Sequence, residues 1–142
     1  MIPIITIDGP ASSGKGTVAK IIANELGFHY LESGAIYRAL GLWIHKNYPD
    51  ANSVTKDIAV DLIDSMKLQF MDGKILLNDS DVTLELRAEE IGMLASKYSA
   101  IPEVRARLLQ FQRDFASLPG LVTDGRDMGS IVFPDALLKV FL

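Results

Sequence analysis

The residues best placed to do chemistry lie in the run Ile4-Ile5-Thr6-Ile7-Asp8-Gly9-Pro10-Ala11-Ser12-Ser13-Gly14-Lys15-Gly16-Thr17. A β-branched apolar stretch feeds a loop bounded by Gly9 and Gly14, and a helical pattern begins directly after it. Glycines let a backbone curl so that successive N–H groups point inward at an anion. A helix N-terminus adds the positive end of its dipole. Lys15 contributes a full charge at the position that meets the β- and γ-phosphates of a nucleoside triphosphate. The triphosphate-binding candidates are therefore Gly9, Pro10, Ala11, Ser12, Ser13, Gly14, Lys15, Gly16 and Thr17. The hydroxyl that usually follows the lysine is displaced by one position, because Gly16 precedes Thr17. Thr17 is thus the hydroxyl expected near a magnesium ion. A glycine-rich turn that binds nothing is the bland alternative, and the strand and helix on either side weigh against it.

Two other segments follow short strands, where open α/β sheets bind their ligands. Glu32-Ser33-Gly34-Ala35-Ile36-Tyr37-Arg38 is one; Thr123-Asp124-Gly125-Arg126-Asp127-Met128-Gly129, after Leu121-Val122, is the other. Transfer of a phosphoryl group asks for neutralised phosphates, in-line geometry and exclusion of water. An acceptor monophosphate calls for arginines that can grip it bidentately. Arg38 and Arg126 are the candidates, and with Lys15 they form the expected catalytic set. Alone, Arg38 would read as a solvated helix arginine; its Ser-Gly-Ala-Ile-Tyr-Arg setting favours the functional role. Asp124 ends an apolar strand and is expected to face magnesium through metal-bound water, the alternative being a cap on the following turn. Asp8 either does similar work or caps the loop, and the structural role is preferred.

These three motifs in this order, with Val132-Phe133-Pro134-Asp135-Ala136, resemble the bacterial cytidylate kinase family; the Gly-Lys-Gly-Thr form is that of nucleoside monophosphate kinases. The resemblance implies transfer of the γ-phosphate of ATP to CMP or dCMP, with Mg2+ accompanying ATP. It implies a CMP site at Ser33, Arg38, Ser96, Arg105, Arg126 and Asp127. A carboxylate can accept from the cytosine amino group, while serine or arginine can donate to the ring acceptors. Read without the resemblance, Ser96 and Arg105 are ordinary helix surface. Two departures, Glu32 in place of the commoner aspartate and the Ala11-Ser12-Ser13 loop interior, remove no glycine and no lysine. Family members run longer, so the resemblance covers their N-terminal two-thirds. The chain stops at Lys139-Val140-Phe141-Leu142, which reads as a fourth parallel strand, ahead of the family's lid arginines and terminal helices. The expectation is that these residues alone do not catalyse at a useful rate. The alternatives are another small-molecule P-loop kinase, such as one acting on shikimate, and a non-catalytic nucleotide-binding fragment. No Asn-Lys-x-Asp guanine signature supports a GTPase switch.

The elements that must hold these residues alternate. Residues 4–8 read as a buried strand and 15–26 as a helix with Val18, Ile21, Ile22 and Leu26 at helical spacing, ended by Gly27. A strand over 28–31, a helix from Ala35 to Lys46 and a helix over 55–65 follow. Leu68–Met71 and Lys74–Leu77 flank Asp72-Gly73, a strong hairpin signal. A third strand is expected at Asp81-Val82-Thr83, then helices over 84–98 and 102–116. The fold class expected is α/β: a P-loop nucleoside monophosphate kinase-like parallel sheet flanked by helices, with a small antiparallel β and helical insert. Residues 1–142 form one domain, its core at about 1–66 and 118–142 and its monophosphate-binding insert at about 67–117.

Composition narrows the classes. Hydrophobic residues are 49% of the 142, ample for a core, and the net charge of −4 argues against a nucleic-acid polymer as partner. With no cysteine there is neither disulfide nor thiolate metal site. No apolar run approaches a membrane span, so a cytoplasmic protein with no membrane contact and no obligate protein partner is expected. His29 and His45 are isolated and read as structural or exposed. Trp43 with Leu40 and Ile44 reads as core, and Glu85, Arg87, Glu89 and Glu90 as a solvated face. Nothing distinguishes Arg107 and Arg113 from surface arginines.

Overall fold

A β-branched run such as Ile4–Ile7 suits a strand covered on both faces. In the computed structural model, which describes residues 1–50 and 53–142, this run is β1 (Ile4–Asp8), buried from Ile5 onward. Three more strands, β2 (His29–Glu32), β6 (Leu121–Gly125) and β7 (Leu138–Phe141), complete an all-parallel sheet in the order β2-β6-β1-β7. β1 pairs with β6 from Ile4 opposite Leu121 to Asp8 opposite Gly125. Helix α1 (Lys15–Leu26) covers one face. There Ala19 and Ala23 pack on Ile5, Ile7 and Val122, with Ile22, Phe28, Tyr30 and Val140 around them. The small alanines let the helix approach closely; Val18, Ile21 and Leu26, at the same helical spacing, are exposed instead. Gly27 ends α1 in the left-handed conformation, as expected from its position. This unit comprises Met1–Ser33 and Phe111–Leu142.

On the opposite face a single π turn, Met128–Val132, follows β6. Its first two N–H groups donate to the Asp8 carboxylate, Met128 at 2.8 Å and Gly129 at 2.9 Å. The preferred structural role of Asp8 is what the geometry shows, although it caps this turn rather than its own loop. Arg113, unremarkable in the sequence, donates to the carbonyls of Val132 and Ile131 at the other end of the turn.

The second unit, Gly34–Gln110, is built from α2 (Ser33–Asn47), α3 (Lys56–Ser65), α4 (Glu89–Ser99) and α5 (Pro102–Arg113), whose outermost residues cross the boundary. With them goes an antiparallel sheet of β3 (Leu68–Met71), β4 (Lys74–Leu77) and β5 (Ser80–Asp81). Asp72 and Gly73 both have positive φ, the type I′ signature of a two-residue hairpin. Asn78 and Asp79 repeat it. The Asn78 side chain accepts from Lys67 N–H and donates to the Ser65 carbonyl, tying the hairpin to the end of α3. α2 and α4 cross so closely that a Cβ on Gly41 would stand 2.8 Å from the Ile91 carbonyl oxygen. Arg107, also read as surface, is paired with Asp64.

Three expected boundaries shift for local reasons. The helix expected over 84–98 is a 3-10 turn at Glu85–Arg87 followed by α4, because Ala88 adopts an extended ψ of 139° between them. β5 ends at Asp81, whose carboxylate accepts from both the N–H and the hydroxyl of Thr83 and turns the chain. α5 ends at Arg113, and the next residues close one turn onto Gln112 and Arg113.

Asp8→Ala leaves two N–H groups of the π turn without their acceptor. We expect a loss of about 2–4 kcal/mol, read as a lower urea midpoint at unchanged m. A loss below about 0.5 kcal/mol would contradict the role assigned to Asp8.

Candidate functional site

Strand β1 delivers the chain into the glycine-bounded loop at its carboxyl end. The Gly9 N–H donates to the Gly125 carbonyl at 3.2 Å, so the ladder runs into the loop before the chain turns away. A Cβ on Gly9 would stand 2.8 Å from the Leu142 carbonyl oxygen, so no side chain fits there. Gly14, at φ 85°, reverses the chain into α1, and no side chain caps the first N–H groups of that helix. Ser12 also lies in the left-handed region, at φ 67°. That conformation costs a residue other than glycine about 1–3 kcal/mol, and such strain gathers at ligand clamps. The Ser13 hydroxyl is buried with no hydrogen-bond partner. Lys15 Nζ folds back onto the Pro10 carbonyl at 3.2 Å, keeping its charge over the loop with ammonium donors to spare. Uncapped N–H groups, an orphaned hydroxyl and a cation around one concavity can receive an anion.

Asp124 stands beside this loop on the α1 face of β6. Asp8, opposite Gly125 on the neighbouring strand and so one residue out of step with Asp124, points to the other face and is already occupied. Asp124 is only 3% exposed, and its Oδ2 accepts from the Tyr30 hydroxyl at 2.5 Å. Burial pushes its carboxyl above the ordinary range. The Tyr30 bond opposes that rise, the charge of Glu32 adds to it, and Lys15 and Lys20 pull it down. Thr17 is exposed in the first turn of α1. No group of three His, Cys, Asp or Glu able to cage a metal occurs among the described residues. The oxygens present, one carboxylate and a hydroxyl, fit magnesium that arrives on phosphates and keeps much of its water.

The acceptor-site candidates fall in both units. Ser33 donates to Gln112 Oε1 at 2.7 Å in a buried pair. Its Cβ lies 3.1 Å from where a Gly125 Cβ would be, beside the turn that carries Arg126 and Asp127. Both of those side chains are exposed. In the second unit Arg38 donates from Nη1 to the Leu86 carbonyl at 2.7 Å, and its guanidinium lies over Gly92. Ser96 is one turn further along α4, so Arg38 and Ser96 share a face of that helix. Arg105 is exposed on α5.

Two residues escaped the sequence reading. Gln112 continues the buried stripe of Val104 and Leu108 on α5, and a polar residue in such a stripe was the available signal. Tyr30 gave none, since an aromatic residue in a short strand reads as core.

The sign of the Asp124 shift fixes a pH dependence. A carboxyl raised in the folded state penalises folding above its folded pKa and carries no penalty below the ordinary carboxylate range. Asp124→Asn, which cannot ionise, should therefore raise the melting temperature of the ligand-free protein near pH 7. The gain should shrink as pH falls through the carboxylate range. A lower melting temperature at pH 7, or a gain that grows toward acid, would contradict the burial cost.

A cytidylate kinase family profile matches residues 5–142. The chain is 52% identical to the cytidylate kinase of Chromobacterium violaceum, over 99% of this chain and 63% of that protein. It is 48% identical to that of Nitrosomonas europaea and 49% to that of Photobacterium profundum, each over 99% of this chain and 62% of the relative. It thus spans a little under two-thirds of the length of these relatives. A profile match over nearly every residue, together with identities near one half, means that the chain belongs to the cytidylate kinase family.

Proposed function

We propose that this chain carries the nucleotide-binding parts of an enzyme that transfers the γ-phosphate of ATP to CMP or dCMP. The observation that carries this reading is the family match over residues 5–142, with the anion-receiving loop inside it. Gly9 to Thr17 cradle the ATP phosphates, and Lys15 neutralises the oxygens of the group in transfer. Magnesium, when bound with ATP, neutralises the charge shared by the β- and γ-phosphates, with Thr17 and Asp124 as the residues that would hold it, Asp124 through water. Arg38 and Arg126 grip the acceptor phosphate, Ser33 lines the acceptor site, and Ser96, Arg105 and Asp127 read the cytosine. Residues 67–117 form the monophosphate insert within one domain. ATP and CMP are the partners, and the protein works in the cytoplasm.

Base choice gives the sharpest test. Asp127 can accept from the cytosine amino group, whereas uracil offers an oxygen there and would face the carboxylate without a proton between them. Calorimetric titration should find CMP bound at least about tenfold more tightly than UMP. Asp127→Ala should narrow that ratio. In the full-length form, Lys15→Ala should leave CMP affinity intact while cutting CMP-dependent ADP release about a hundredfold to a thousandfold. Equal CMP and UMP affinities, or a ratio unmoved by Asp127→Ala, would refute the base pocket.

A further inference from the structure

Tyr30 has no part in the phosphate or base contacts proposed above, yet its hydroxyl donates to Asp124, a buried carboxylate beside the loop. β2 and β6 are parallel, with Tyr30 opposite Val122 and Glu32 opposite Asp124. Tyr30 and Asp124 therefore project from the same sheet face, and the phenol reaches along it to the next strand. The pair lies against the first turn of α1: a Cβ on Gly16 would stand 3.7 Å from Asp124 Oδ2 and 4.0 Å from the Tyr30 hydroxyl. Lys20, one helical turn later, holds its ammonium 5.9 Å from the centre of the Tyr30 ring. The ring packs against the cluster of Ile5, Ile7, Ala19, Ala23 and Val122, and its hydroxyl lies beside Gly16 at the start of α1.

A carboxylate buried at the end of a strand has two oxygens to place. Oδ2 is held by Tyr30, and among the described residues no donor is bonded to Oδ1. We propose that Tyr30 is a positioning residue: its hydroxyl fixes the Asp124 carboxylate against the first turn of α1 through Oδ2 and leaves Oδ1 as the oriented acceptor for metal-bound water. Groups behind a metal's own ligands set ligand orientation, and their loss commonly weakens metal affinity by about tenfold to a hundredfold. Phenylalanine would fill the same space in the α1 packing and leave Asp124 free to turn. The inference rests on the nucleotide-binding role proposed above.

The test separates the metal from the nucleotide. Mn2+ binding to the protein with ADP present is followed by electron paramagnetic resonance, and ADP binding in EDTA by calorimetry. Tyr30→Phe should weaken Mn2+ binding about tenfold, with metal-free ADP affinity close to wild type. In an Asp124→Asn background the same substitution should change Mn2+ affinity no further, because the oriented oxygen is already lost. Equal Mn2+ affinities in wild type and Tyr30→Phe overturn the inference alone. So does a fall in metal-free ADP affinity by the same factor as that for Mn2+, or an undiminished effect in the Asp124→Asn background. Failure of the wild type to bind ADP overturns the nucleotide reading, and this inference with it.

Discussion

The parallel ladder between β1 and β6 runs level to its carboxyl end, with Asp8 opposite Gly125 and the Gly9 N–H bonded to the Gly125 carbonyl. In a strand the side chains alternate between faces, so a slip of one residue in this pairing would exchange them. Asp124 would then point at the π turn, away from α1 and the loop. The slip is opposed on both faces at once. Ile5, Ile7 and Val122 are buried under Ala19 and Ala23 on one side. On the other, Asp8 is fixed by Met128 and Gly129. The strand register that buries the core is therefore the same register that brings a carboxylate up to the glycine-bounded loop.

Two carboxylates at the ends of neighbouring strands end up in opposite electrostatic situations. Asp8 accepts two backbone N–H groups at ordinary distances, and its buried charge is compensated within the fold. Asp124 receives one phenol and remains raised by burial. A buried charge left short of donors destabilises the free protein and is satisfied best when a cation or a hydrated metal arrives. The loop shows a similar bias. Ser12 is held in the left-handed region, the Ser13 hydroxyl has no partner, and the Lys15 ammonium donates to a carbonyl of its own loop. Local groups at this end of the sheet are poised for a ligand rather than for one another.

Much of this was legible in the chain because short-range rules govern it. The β-branched run of β1, the turn residues Asp72-Gly73 and the Gly14 and Gly27 ends of α1 each act over a few residues, and all stand where the sequence places them. What escaped depends on contacts distant in sequence. The close crossing at Gly41, the bond from Tyr30 to Asp124 and that from Ser33 to Gln112 join residues that no local pattern links. Helical spacing also misled at α1, where alanines rather than Val18, Ile21 and Leu26 meet the sheet. Spacing marks an apolar face, but the distance between helix and sheet decides which residues can fill it.

We propose that the loop is prearranged for an anion, and backbone amide shifts during titration with ADP test that most directly. The amides of Gly14, Lys15, Gly16 and Thr17 should move together and saturably, while those of Ile5, Ile7 and Val122 in the sheet core stay in place. Shifts confined to other parts of the chain, or a loop whose amides do not respond to saturating ADP, would contradict it.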